Sequence, residues 1–380
     1  METKTEPKFE GMEGMEGVVV APSSICLIDG QAGELIYRGY DVRELAAHCS
    51  FEEVCHLLWK GVLPTQSELE ELRRELALHR ALSSETRRLL GRFPRSSFPM
   101  SVLRTAVSAL GLHDPRAESD ALHTNVSMAI ELTSQVATIL ATFHRLRLGE
   151  EPMVPDPGMS HAANFLYMLT GEYPHDVDGV VMDDALVLHA EHGFNASTFA
   201  ARVTASTLSD LYSAVTSAIG ALRGPLHGGA NQKVMRMLQE IHTPERARPY
   251  ILDLLQAHQK VMGFGHRVYK TIDPRAVVLR EWCRELGEHT GQTQWAEICA
   301  VIEAVVKEEK GLSCNVDFYS APVYHMMGIP TDLFTAIFAV SRIVGWTAHI
   351  LEQYGHNRLI RPTCEYVGPR ELTVRPIAER

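Results

Sequence analysis

The sequence predicts an all-α fold of two unequal domains with one small β-hairpin near its start. Three observations carry that prediction. From Asp41 to Ile350 apolar residues recur at three- and four-residue spacing almost without relief, the period of a helix with one buried face. The short β-type runs SSICLI and ELIYRG flank the glycine-containing turn DGQAG. Helical periodicity then breaks at two Gly/Pro clusters, Gly224, Pro225, Gly228 and Gly229, and again Gly328 and Pro330. Taken as hinges, these breaks set off a small helical domain, 223–327. The larger helical domain comes from both ends, 1–222 and 328–380. Residues 1–17 read as a flexible arm, because GMEGMEG repeats without a pattern that could bury a face.

In chain order, Ser50 with Glu53 and Thr65 with Glu68 have capping-box spacing at two helix starts. Leu69, Leu72 and Leu76 continue the second helix on one face. Further helices are predicted near 83–91, 99–111, 118–147 and 160–170, the last closed by Gly171, and near 178–190 before a break at Gly193. A longer one runs from about 196 to 222. After the first hinge come 230–241, 245–261, 274–289 and 294–309. The last helix covers Leu333 to Ile350, capped by Thr331 or Asp332, and an irregular tail starts near Asn357.

A chain of 380 residues with 45% hydrophobic and 22% charged residues has the composition of a globular enzyme. The formal net charge of −11 argues against a general binder of nucleic acid or anionic membrane. If the substrates are anions, positive charge must be gathered locally. Seven cysteines without CxxC spacing fit reduced, cytoplasmic usage. The first sixteen residues carry five Glu and no Arg, unlike a secretory or transit leader. The best apolar run, Val126 to Phe143, is interrupted by Glu131, so no membrane span is expected.

Four segments place ionisable residues at breaks in the helical pattern: LHAEHGFNAS, GPLHGGAN, GFGHRVYKTIDPR and CNVDFYS. Helix ends present side chains and backbone N–H groups to a cleft. His227 precedes a helix near Gly229, whose positive end would lower its pKa and keep the ring neutral; the alternative is a buried histidine satisfied by backbone. Asp317, among Val316, Phe318 and Tyr319, would be partly desolvated and so a stronger base; alternatively it caps the helix that follows. Arg342 lies amid Phe338, Ala339, Val340, Ile343 and Trp346, and must find a carboxylate or face a polar cavity. His189, Glu191 and His192 leave metal ligation open, although no HExxH is present. Nicotinamide, P-loop and serine-hydrolase motifs are missing too.

In these segments and their order, together with SRIVGW, the chain closely resembles the citrate synthase family from about Glu16 to Tyr366. The resemblance implies a helical dimer whose two domains close over substrate, and an acyltransferase condensing acetyl-CoA with oxaloacetate. It implies Asp317 as the base, His227 as the group holding the enol oxygen, and His266 as donor to the oxaloacetate carbonyl. His192, Arg275 and Arg342 would bind oxaloacetate. Arg361, with Arg358 close by, would reach in from the other subunit. Met262, Gly263, Gly265, Arg267, Lys270 and Asn315 would bind CoA. No metal or cofactor is implied. The match is to the short type lacking an N-terminal NADH-regulatory domain, so no response to NADH is expected. The sequence has SAPVY and SCNVD where many members have a Gly after the Ser and a Pro before the Asn. Alternatives are 2-methylcitrate synthase using propionyl-CoA, a non-catalytic helical assembly subunit and a metal-dependent lyase.

Overall fold

The computed structural model describes residues 13–15 and 17–380, so most of the expected arm lies outside the described residues. The hairpin is where the sequence puts it. Strand β1 (Cys26–Asp29) pairs antiparallel with β2 (Glu34–Tyr37), Cys26 opposite Tyr37, and a two-residue β3 (Tyr40–Asp41) extends the sheet. Its turn is shaped by Asp29, whose Oδ1 accepts from the N–H of Gln31 and of Ala32, both at 2.9 Å. The tip docks onto the segment after His266: Lys270 N donates to Gly30 O at 2.8 Å, and a Cβ on Gly30 would lie 2.1 Å from the Val268 carbonyl oxygen. Only glycine permits that approach.

Sixteen α-helices follow among the described residues. Helices α1 (Val42–His48), α2 (Phe51–Lys60) and α3 (Gln66–Leu78) come first, the last two starting at their predicted caps, and α4 (Ser84–Arg92), α5 (Pro99–Gly111), α6 (Leu122–Leu148), α7 (His161–Thr170) and α8 (Asp176–His189) lie close to their predicted bounds. Both capping boxes form at α2 and α3, and Gly171 ends α7 in the left-handed conformation.

The single helix expected over 196–222 is instead two, α9 (Ala196–Ser206) and α10 (Leu211–Leu222). Leu208 turns the chain with φ 63, and Asp210 caps α10 by accepting from Ser213 N. Apolar periodicity runs on across this corner, which hides it. Next come α11 (Ala230–Ile241), α12 (Pro244–Gln256), α13 (Pro274–Thr290), α14 (Gln294–Lys310) and α15 (Val316–Met326). These five pack on one another. Helix α12 stops five residues short of its expected end, with His258 left-handed beyond it.

The last helix, α16 (Phe334–Gly355), is entered through a 3-10 turn over Thr331–Leu333 and has no side-chain cap. Asp332 pairs with Arg147 of α6 instead. Helix α16 runs through the core against α2, α6, α8, α9 and α10. By length and composition alone α6 and the stretch Thr331–Gly355 are each long and apolar enough to cross a bilayer. Their most apolar windows are 78% and 100% buried inside the protein, so packing accounts for their composition.

Candidate active site

The segment 263–275 is held in shape by the strand-like stretch before α15. Gly263 O accepts from Asn315 N at 2.9 Å, Gly265 N donates to Ser313 O at 3.1 Å, and Asn315 Nδ2 donates to Gly265 O at 2.9 Å. Gly263 has φ 85 and no room for a side chain, since a Cβ would lie 2.8 Å from Phe318. Asn315 also caps α15, its Oδ1 accepting from Asp317 N at 3.1 Å. The cap is therefore Asn315, not Asp317, which sits in the first turn. With that role taken, the Asp317 carboxylate makes no hydrogen bond among the described residues. Burial pushes its pKa up to about 6, with Arg275 and Arg342 pulling the other way.

Each histidine has one ring nitrogen committed. His266 Nδ1 accepts from Val268 N at 3.0 Å and Tyr269 N at 3.1 Å, so the ring proton is on Nε2. His227 is the mirror case. Its Nε2 accepts from Ser197 N at 3.2 Å and lies 2.8 Å from Ser197 Oγ, which leaves the proton on Nδ1. Burial lowers both to about 4, reinforced by Arg275 at His266 and by Arg342 at His227. For His227 the cause differs from the expected helix end: desolvation leads, and α11 begins only at Ala230, behind Gly229. The ring is neutral, as expected, and is satisfied by backbone at one nitrogen only. His192 Nε2 contacts the Tyr269 hydroxyl at 3.3 Å, and its ring lies 5.3 Å from that of His266. Burial, then Arg275, holds it well below its ordinary value.

Two buried guanidinium groups flank these rings. Arg275, at the start of α13, forms a bidentate pair with Asp273, Nε to Oδ1 at 2.9 Å and Nη2 to Oδ2 at 2.8 Å. Asp273 Oδ2 also accepts from Val316 N at 3.1 Å, tying the starts of α13 and α15 together. Arg342, in mid-α16, donates from Nε to His189 O at 2.6 Å and lies 4.6 Å over the Phe338 ring. Burial pushes its pKa down to about 10, against the charge of Glu191. His192 feels Arg275, His266, Arg342 and His227 together, and Asp317 feels both arginines. The fold thus gathers six of the predicted residues into one electrostatic neighbourhood.

Other predicted residues stand apart. Arg361 is exposed on the tail after α16, and so is Arg358. Lys270 and Arg267 are exposed at the rim of the 263–275 segment, and Met262 is partly buried. A hollow of about 800 Å³ opens beside Lys270, lined also by Arg280, Arg284, Lys307, Glu303 and Tyr319. His189 turns its Nδ1 to Ala185 O at 2.7 Å. Among the described residues no group of three or more His, Cys, Asp or Glu could hold a metal ion.

Sequence reasoning missed the residues that orient the others. Ser197 Oγ accepts from Trp346 Nε1 at 3.1 Å and lies 2.7 Å from Asn195 Oδ1, contacts that fix the hydroxyl facing His227. Asp273 and Tyr269 lie inside the quoted GFGHRVYKTIDPR, and Asp before Pro at a helix start was the available signal for Asp273. For Ser197 against His227, thirty residues apart, no local signal exists.

Comparison with known proteins agrees across the chain. A family model described as citrate synthase, C-terminal domain, matches residues 14–363. A citrate synthase of Haloferax volcanii is 50% identical over 374 residues, covering 97% of this chain and 98% of that protein. A citrate/2-methylcitrate synthase of Bacillus subtilis is 41% identical, covering 97% and 99%. A citrate synthase of Thermoplasma acidophilum, solved as a ternary complex with carboxymethyl coenzyme A and oxaloacetate, superposes with TM-score 0.90 at 33% identity, covering 97% and 98%.

Proposed function

The chain belongs to the citrate synthase family, acyltransferases that convert the acyl group to alkyl on transfer, and from that premise we propose that it condenses acetyl-CoA with oxaloacetate and hydrolyses citryl-CoA to citrate and CoA. The observation that carries the reading is the complementary protonation of three side chains. His227 offers Nδ1–H, His266 offers Nε2–H, and Asp317 offers a carboxylate with no hydrogen bond among the described residues.

A thioester methyl is a very weak acid, and a positioned base alone supplies about 10² to 10⁴ in rate. Asp317 takes the methyl proton while His227 Nδ1–H donates to the carbonyl oxygen on which the enolate charge develops. The new carbon–carbon bond forms at the oxaloacetate ketone, whose oxygen receives the hydrogen bond, and then the proton, of His266. Water then attacks the thioester carbonyl, its proton restoring the His266 ring, and CoA leaves as the thiol with the proton that Asp317 holds. Neutral imidazoles suit this work, because each donates a hydrogen bond without placing a net charge in a desolvated site. Arg275, Arg342 and His192 hold the oxaloacetate, a dianion that guanidinium forks match. No group beyond the two substrates and water enters this scheme.

The same reading assigns 223–327 as the closing small domain, and the mutual packing of α11 to α15 supports it. It assigns Arg361 to the neighbouring site of a homodimer, which agrees with its exposure in the single chain. CoA lies along Met262, Gly263 and Gly265, with Lys270 and Arg267 near its phosphates. Asn315 then acts through the loop that it ties down. A second reading, propionyl-CoA as donor, is favoured by the Bacillus subtilis relative's name. One methylene changes selectivity only by about 10- to 200-fold.

The test is CoA thiol release with oxaloacetate, comparing kcat/KM for acetyl-CoA and propionyl-CoA. Preference for acetyl-CoA is expected. Equal or reversed preference moves the assignment to 2-methylcitrate synthesis, and no release with either donor overturns the catalytic reading.

A further inference from the structure

Within electrostatic reach of Arg342 lies a buried acidic residue that the mechanism above does not use. Glu191, the residue before His192, is fully buried and is held by two elements, β2 and α16. Its backbone N–H and carbonyl both meet the Tyr37 hydroxyl of β2, at 3.3 and 2.8 Å. Its carboxylate descends on α16 at Gly345, where a Cβ would lie 2.2 Å from Oε2. Its Oε1 is 2.9 Å from His349 Nε2. Since His349 Nδ1 accepts from Arg202 Nη1 at 3.1 Å, His349 is the donor to Glu191. Arg202 is balanced in turn by Glu352 at 2.7 Å.

Arg342, Gly345 and His349 are three and seven residues apart on α16 and so share one face. On that face the Glu191 carboxylate is clamped from the C-terminal side by His349, with Arg342 one turn toward the N-terminus. Glu191 Oε2 and Arg342 Nη2 are both buried without a hydrogen-bond partner among the described residues, and the two groups form no direct ion pair. An isolated buried charge is costly. Each of these is tolerable beside the other.

We propose that Glu191 is a positioning residue, an internal counter-ion that stabilises the Arg342 guanidinium in the substrate-free enzyme, held in place by His349 and Gly345. The proposal rests on the reading that Arg342 binds an oxaloacetate carboxylate. It makes the substrate a second anion for Arg342, and Glu191 the resident one. Removing the resident charge leaves the empty site short of an anion that the substrate can replace.

The test is the thermal midpoint of Glu191→Gln, Glu191→Asp and wild-type protein, each with and without saturating oxaloacetate. Without ligand, Glu191→Gln melts several degrees lower. Oxaloacetate raises its midpoint by at least about 3 °C more than it raises that of the wild type. Glu191→Asp, which keeps the charge, retains the wild-type increment. A merely structural glutamate would lower both midpoints equally, and that outcome overturns the proposal. If Glu191→Gln folds only with oxaloacetate present, the counter-ion role is upheld; if it does not fold even then, the role is overturned. A wild-type midpoint indifferent to oxaloacetate would instead count against the binding reading itself.

Discussion

Ser197 holds His227 by two atoms at once, its N–H 3.2 Å and its Oγ 2.8 Å from the same Nε2. A ring nitrogen that accepts from a backbone amide cannot carry a proton, so this contact selects the tautomer that presents Nδ1–H. Replacing Ser197 by Ala leaves the amide in place and removes the hydroxyl. We expect kcat to fall about 10- to 100-fold with the KM for oxaloacetate little changed, a smaller loss than removing an oxyanion donor outright. The mutation also strands the Trp346 indole N–H in the core. Stability should drop by about 1–3 kcal/mol, measurable by urea unfolding.

Asp317 works as a base only when ionised, and its pKa is raised to about 6 by burial. Activity is therefore present above that value and lost as pH falls through it. The acid limb of kcat/KM for acetyl-CoA should show a midpoint near 6, and Asp317→Asn should reduce kcat by about 10² to 10⁴. A limb that persists unchanged in the Asn variant would assign it to another group.

Gly30 lies against Val268 across the hairpin-to-loop contact, where a Cβ would come 2.1 Å from a carbonyl oxygen. Gly30→Ala must displace either the hairpin tip or the segment carrying His266 and Lys270. We expect a loss of about 1–3 kcal/mol in stability and a raised KM for both substrates. Melting and steady-state kinetics check each part separately.

Arg361 and Arg358 both sit exposed on the tail in the single chain. If Arg361 completes a neighbouring site, Arg361→Ala should raise the KM for oxaloacetate at least about tenfold, as for loss of a charged hydrogen bond. Arg358→Ala should be nearly silent. Mixed dimers of Arg361→Ala with Asp317→Asn should recover about a quarter of wild-type activity per site, because half of the assemblies hold one intact site out of two. No recovery on mixing would place the arginine and the base in the same chain.

Much of the fold was legible locally. Capping boxes at Ser50 and Thr65, the stop at Gly171 and the hairpin turn at Asp29 are each written within four residues. They are contacts that any chain segment makes with itself. Where a strong periodicity ran across a corner, at Leu208 to Asp210, the same reasoning joined two helices into one.

By itself the sequence determined the helical class, the segments bearing His192, His227, His266, Arg275, Asp317 and Arg342, and the family resemblance. Only tertiary structure decided how those side chains are protonated and what restrains them. It made Asn315 the helix cap and left the Asp317 carboxylate without a hydrogen bond among the described residues. It put the proton on opposite nitrogens of His227 and His266, and it set Glu191 against His349 from 158 residues away. The reason is physical. Helix and turn formation depend on hydrogen bonds between near neighbours, whereas a tautomer or a pKa depends on desolvation and charges brought up from distant parts of the chain.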